Sequence, residues 1–241
     1  MIQFYDPDIE KKLRLNAEES AHAVRVLRKQ AGDVIYVTDG RGTRFECVLL
    51  SADSKGCPVE ITGRETHNPH WPNRVNLVVA PTKHLDRMEW LIEKSVEVGV
   101  NKIIFVKCSR SERKELRIDR LQKIAVSAMK QSLKCVLPEV VGLMPYNTFI
   151  TRCLESDSFC EGQRFMGYCN ENIIRRSLVN EYRPGSDATL LIGPEGDFTP
   201  EEVEAAIAAQ FIPVTFGETR MRTETAALYA LQTIHILNQI T

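Results

Sequence analysis

The chain has 241 residues, 43% hydrophobic and 26% charged, with a formal net charge of −1 at pH 7. This composition excludes a disordered or fibrous protein, and no apolar run approaches the ~20 residues that span a bilayer. The seven cysteines form no C-x-x-C pair and are odd in number, which argues against a disulfide framework or zinc site and for a reducing cytoplasm.

The start, "MIQFYDPDIEKK", lacks the basic and apolar stretches of a signal peptide. "NAEESAHAVRVLRK" predicts a helix with Asn16 as N-cap and Glu19 three residues on. His22, Arg25 and Lys29 then share its polar face, while Ala23, Val24 and Leu27 turn inward. "DVIYVTDGRGTRFECVLL" reads as two strands about an Asp39-Gly40 hairpin turn. "GCPVEITG" adds a strand, so this region is a small β-barrel or sheet. "THNPHWPNR" (66–74) carries two prolines among polar residues and marks the domain boundary, giving domains 1–72 and 73–241.

Beyond it, strands and helices alternate. "VNLVVAP", "KIIFVKC", "RFMGYC", "ATLLIG" and "IPVTFG" are strands. "LDRMEWLIEKSVEVGV" is a helix ending near Gly99, and "IDRLQKIAVSAMKQSLK" is an amphipathic one. "YNTFITRCLE" is shorter. The helix after "LLIGPEGDF" has Thr199 at N-cap, Pro200 at N1 and Glu202 at N3. "TETAALYALQTIHILNQ" closes the chain with apolar Ala227, Leu228, Leu231, Ile234, Ile236 and Leu237, enough for a core and a partner. The alternation predicts an α/β fold with a mostly parallel sheet.

Two loops follow strand ends: Gly193–Asp197 ("GPEGD") and Gly217–Ala226 ("GETRMRTETA"). Neither has the lysine of a phosphate-binding P-loop, and the only G-x-G lies in the hairpin. Acidic loops disfavour phosphate and suit a phosphate-free cationic ligand such as S-adenosylmethionine, approached closely by glycine backbone. No metal-ligand set is visible.

"LLIGPEGDFTPEEVEAA" followed by "VTFGETRMRTETAALYAL" resembles the paired signature of the SPOUT superfamily of RNA methyltransferases, and more closely that of the bacterial ribosomal RNA small subunit methyltransferase E family. "HAVRVLRKQAGDVIYVTDGRG", "KHLDRMEWLIEKSVEVGVNKIIF" and "AMKQSLKCVLPEV" extend the resemblance through the chain. It implies a PUA-like β-barrel, a C-terminal trefoil-knotted α/β domain, a homodimer, and methyl transfer from S-adenosylmethionine to N3 of a uridine in small-subunit (16S) ribosomal RNA, free or assembled. The related alternatives are a knotted enzyme acting on a ribose 2′-hydroxyl or another base, and a non-enzymatic RNA-binding protein. The chain departs from the family pattern at Asp197 (commonly glycine, and here expected past the turn), Met221 (commonly leucine) and Lys134 (commonly arginine).

On this resemblance Ile192, Gly193, Glu195, Gly196, Phe216, Gly217, Met221 and Arg222 bind the cofactor. The chemistry requires loss of the imide proton and donors for the resulting anion. Arg222 is the candidate stabiliser. Glu224 is the candidate base, the group that orients Arg222, or a first-turn acid complementing its helix dipole. Residues 73–150 carry 14 basic and 8 acidic side chains, residues 151–241 carry 7 and 13, so a polyanion can dock on a nearly neutral protein. His22, Arg25 and Arg28 on the small domain, and Arg110, Lys130 and Lys134 on the large one, are the candidate RNA contacts.

Overall fold

The computed structural model describes residues 2–69, 71–156, 159–160, 162–170 and 173–240. His70, within the predicted boundary, lies outside the described residues. The chain forms two compact units: residues 1–70 with Val126–Leu137, and Trp71–Ala125 with Pro138–Thr241. A single boundary in the linker does not describe this, because residues 126–137 are held by long-range bonds in the first unit. Gln3 Nε2 donates to the Lys134 carbonyl (2.7 Å), and the Gly42 N–H donates to the Cys135 carbonyl (2.8 Å).

The first unit contains β1 (Gln3–Tyr5), α1 (Ile9–Lys12), α2 (Ala17–Ala21), β2 (Val34–Thr38), β3 (Thr43–Leu49) and β4 (Val59–Thr66). Its sheet runs β1-β2-β3-β4, with β1 and β2 parallel and the remainder antiparallel. β2 and β3 form the predicted hairpin. Phe4, Ile35, Val37, Phe45 and Leu49 fill the core. Asn16 caps α2 as expected, its side chain accepting from the Glu19 N–H at 2.9 Å.

The predicted helix does not continue in α form to Lys29. From His22 to Val26 it widens into a π-helical turn, in which the Leu27 N–H reaches the His22 carbonyl. Arg28 then adopts a left-handed φ of 55° and ends the element. β-branched Val24 and Val26 lie in this turn, where α geometry crowds them. Ala23 stays buried with Val24 and Leu27 packed beside it. His22, Arg25 and Lys29 thereby lose the α-helical spacing that would align them.

The second unit contains β5 (Val75–Val79), α3 (Leu85–Val98), β6 (Lys102–Lys107), α4 (Ile118–Gln131, shared with the first unit from Val126), β7 (Glu139–Pro145), α5 (Tyr146–Glu155), β8 (Gln163–Gly167), β9 (Arg176–Ser177), α6 (Leu178–Glu181), β10 (Ala188–Ile192), α7 (Pro200–Ala208), β11 (Ile212–Thr215) and α8 (Thr223–Ile240). The sheet order is β7-β6-β5-β10-β8-β11-β9, and every pairing is parallel. β5 and β10 are buried along their whole length, which explains their continuous apolar runs. α5 and α7 pack over Val78, Ile104, Met166 and Leu191. α3 and α8 pack together, with α8 against β5 and β10.

Gly99 ends α3 at φ 118°, and a Cβ there would lie 2.5 Å from the Trp71 ring. That ring stacks on His235 with centroids 4.3 Å apart. Cys153 and Cys160 form a disulfide, and Cys47, Cys57, Cys108, Cys135 and Cys169 are free. The sequence argued against a disulfide framework; what is found is one local bridge between residues seven apart. It joins the last turn of α5 to the approach of β8, a fold-dependent meeting that no spacing motif announces.

α7 begins with the predicted capping box. The Glu202 N–H donates to Thr199 Oγ1 (3.3 Å), and the Thr199 N–H donates to Glu202 Oε2 (2.9 Å). Thr199→Ala should cost about 1 kcal/mol. A urea titration should lower the midpoint at unchanged slope, with Thr199→Ser close to the parent.

Candidate active site

Along the chain the sheet grows outward from β5 through β6 to β7, whereas β10 and β8 lie on the other side of β5. The order therefore reverses between β5 and β10. In parallel sheets ligands bind at such a switch point, beyond the carboxyl ends of the strands. The loops after β5, β10, β8 and β11 all leave from that end.

The loop after β10 is tightly built. Ile192 is buried, and its carbonyl accepts from the Ala80 N–H at 3.0 Å. A Cβ on Gly193 would lie 2.8 Å from the Phe198 ring. Asp197 is inside the turn and not past it: its φ is 61°, and its N–H closes the turn on the Pro194 carbonyl at 2.9 Å. A short polar side chain tolerates this left-handed conformation better than most. Asp197 Oδ2 also accepts from the Cys169 N–H at 3.2 Å, tying the loop to the one after β8. Burial, with the Asp197 charge, pushes the Cys169 thiol above its usual range, so no thiolate stands ready here.

Arg110 Nη1 donates to the Gly196 carbonyl (2.8 Å) and the Phe198 carbonyl (3.3 Å). Its guanidinium clamps the glycine loop, so this candidate RNA contact also has a structural task. Gly196 lets that side chain approach, since a Cβ would lie 3.3 Å from Arg110 Cβ. Glu202, beyond its cap, accepts from the Ser109 N–H at 2.7 Å. The N-terminus of α7 is thus filled by its own carboxylate. That geometry excludes a phosphate cradle more firmly than loop acidity does, since helix N-termini bind anions through free N–H groups.

The loop after β11 is more open. Gly217 has φ 121°, and a Cβ there would meet no heavy atom within 4 Å. The Phe216 ring packs over Gly167 and lies 6.3 Å from Tyr229. Met221 is half-buried and Arg222 is exposed. Arg222 forms neither of the ion pairs, with Glu218 or Glu224, that would make it structural. Thr223 Oγ1 donates to the Gly193 carbonyl at 3.2 Å, joining the two loops directly.

Glu224, in the first turn of α8, is only 7% exposed. Its Oε1 lies 3.7 Å from Arg87 Nε, and its Oε2 is buried without a hydrogen-bond partner. Arg87 Nη1 donates to Glu195 Oε1 at 2.9 Å. Sequence reasoning missed Arg87. Its signal, the "KHLDRMEW" stretch, said nothing of two carboxylates far along the chain.

The other candidate residues fall in the first unit. Lys130 and Lys134 belong there, and not to the larger unit as expected. Lys130 Nζ lies 2.5 Å from Oε1 of buried Glu19, and the His22 ring lies 3.9 Å from Oε2 of the same carboxylate. Lys130 is therefore an internal ion-pair partner. Arg25 donates to Ser54 Oγ at 3.2 Å, and Arg28 is exposed. Among the described residues no group of His, Cys, Asp or Glu could hold a metal ion, and no helix is long and apolar enough to cross a membrane.

The RNA methyltransferase domain family matches residues 69–235, more than half of the chain, and the RNA methyltransferase PUA domain family matches residues 15–62. The ribosomal RNA small subunit methyltransferase E of Bacillus subtilis (strain 168) is 27% identical over 226 residues, covering 91% of this chain and 88% of its own. The chain belongs to the ribosomal RNA small subunit methyltransferase E family. A probable rRNA-methyltransferase from Porphyromonas gingivalis is 44% identical, with a TM-score of 0.92 over 100% of this chain and 99% of that one. A crystal structure of the family's Neisseria gonorrhoeae member, bound to S-adenosyl methionine, is 27% identical with a TM-score of 0.83 over 98% of each chain.

Proposed function

We propose that the protein methylates N3 of a uridine in small-subunit ribosomal RNA, using S-adenosylmethionine bound between the loops after β10 and β11. The observation that carries this reading is Arg222: an exposed cation in the same open loop as Gly217, in a member of this methyltransferase family.

The residues fit the cofactor. The loop about Gly217 is open, and the filled N-terminus of α7 disfavours a phosphate-bearing ligand there. Ile192, Gly193, Glu195, Gly196, Phe216, Gly217, Met221 and Arg222 would hold the cofactor, which supplies an electrophilic methyl group. Arg222 stabilises the charge that develops on O2 or O4 as the imide proton leaves, which makes N3 nucleophilic. A base must reach the proton it removes. Glu224 is sealed from solvent with one oxygen turned to Arg87, so it acts by positioning, and the proton passes to water. Arg28 and its neighbours in the first unit would position the RNA through phosphate contacts.

The family also supports closure of the four-stranded sheet into a PUA-like barrel, a trefoil knot in the second unit, and a cytoplasmic homodimer. Tyr229, Ile236 and Ile240 form an exposed stripe on α8 suited to a second copy. Calorimetry with S-adenosylmethionine tests the enzyme reading, and absent binding would favour a non-enzymatic RNA-binding protein. Nucleoside mass spectrometry of 16S rRNA, from a strain lacking the gene and from that strain with the gene restored, should show N3-methyluridine only in the latter. A ribose-methylated product would overturn the N3 assignment.

A further inference from the structure

We propose that Arg87 is a positioning residue that yokes the two loops, holding Glu195 of the first and Glu224, in the helix turn that ends the second, on a single guanidinium and so fixing the slot between them. This rests on the reading that the slot holds S-adenosylmethionine.

The geometry is specific. Arg87 stands in the first turn of α3, on neither loop, and α3 packs against α8. Its Nη1 bonds Glu195 at 2.9 Å, while its Nε lies 3.7 Å from Glu224. The two carboxylates differ in setting: the Glu195 side chain is 40% exposed and that of Glu224 is 9% exposed. The exposed pair alone would be worth little. The buried carboxylate is different, because a charge out of water needs a counter-charge. Glu224 therefore anchors Arg87, and Arg87 in turn restrains Glu195 and the turn around it. Thr223 joins the same loops through the Gly193 carbonyl, so the arginine and the hydroxyl brace them at two points. Arg222 lies two residues before Glu224, and the yoke sets its placement as well. Only a fork of several N–H donors serves two acceptors in fixed directions. Lysine offers a single point charge.

The test uses the full chain with Arg87→Met, Arg87→Lys, Glu195→Gln, Glu224→Gln and the double variant Arg87→Met/Glu224→Gln. Hydrogen exchange on the cofactor-free protein should show faster exchange in both loops, 193–197 and 217–222, for Arg87→Met, and in the first loop for Glu195→Gln. The Kd for S-adenosylmethionine should rise about 10-fold or more in Arg87→Met and by less in Arg87→Lys. Contacting residues couple non-additively, so adding Arg87→Met to Glu224→Gln should weaken binding less than it does in the parent. Unchanged exchange in both loops overturns the yoke. So does an equal loss in both backgrounds, which would put Arg87 on the ligand or RNA directly. If Arg87→Met fails to fold, Arg87→Lys and Glu195→Gln carry the same comparison. Should the parent itself fail to bind S-adenosylmethionine, the slot reading falls, and exchange alone decides the yoke.

Discussion

Arg222→Ala should lower kcat by about 10²–10³-fold, the usual effect of removing one preorganised donor to a developing anion. Affinity for S-adenosylmethionine should change far less. The expectation follows from the side chain's setting: exposed, in the open loop after β11, and joined to neither neighbouring glutamate. Arg222→Lys keeps the charge without the planar fork and should recover part of the rate. Single-turnover methyl transfer at saturating RNA is the measurement, and an undiminished rate would remove Arg222 from the mechanism. Glu224→Gln sharpens the picture. The amide keeps the shape but gives up the charge that holds Arg87, so a positioning role should cost turnover only modestly, whereas loss of a true base would cost about 10²–10⁴-fold.

Lys130→Glu should destabilise the protein by about 3–5 kcal/mol, the range for breaking a buried ion pair. Lys130 Nζ lies 2.5 Å from Oε1 of Glu19, a carboxylate only 5% exposed that also accepts from the Tyr5 N–H at 3.3 Å. Reversing the charge would set two carboxylates face to face and loosen residues 126–137 from the small sheet. Urea unfolding followed by circular dichroism reads the loss. A variant as stable as the parent would return Lys130 to the candidate RNA contacts. If the loss appears, weak RNA binding by this variant reports misfolding, and Arg28, exposed at the end of the π-helical turn, is the better probe of the docking face.

Much of the architecture was legible because its signals are local. The strand–helix alternation, the Asn16 cap, the Thr199–Glu202 box and the ends of the two glycine loops each depend on a few adjacent residues. The rest depends on residues far apart in sequence. Arg87 meets Glu195 and Glu224 only after β10 has entered the sheet beside β5. Lys130 reads as a solvated helix face until Glu19 is brought under it. The parallel pairing of β1 with β2 leaves no trace in a three-residue strand. Asp197 shows a further limit: a residue at a glycine-like position betrays its left-handed backbone only when the turn is seen. Loop acidity is likewise a weak guide to the ligand, since Arg87 and Arg110 engage the loop and the α7 cap occupies its own N-terminus.

The placement of β10 also bears on how the protein is made. β5, β6, β7 and β8 all leave the ribosome before β10, yet β8 does not pair with β5; β10 lies between them, bonded to both. Until β10 is in place, β5 and β8 therefore present facing edges of two apolar strands with nothing to join them. Open edges of this kind invite pairing with other chains. The sheet of the second unit thus closes only when β10 inserts, which makes this late strand the one on which completion of the sheet depends.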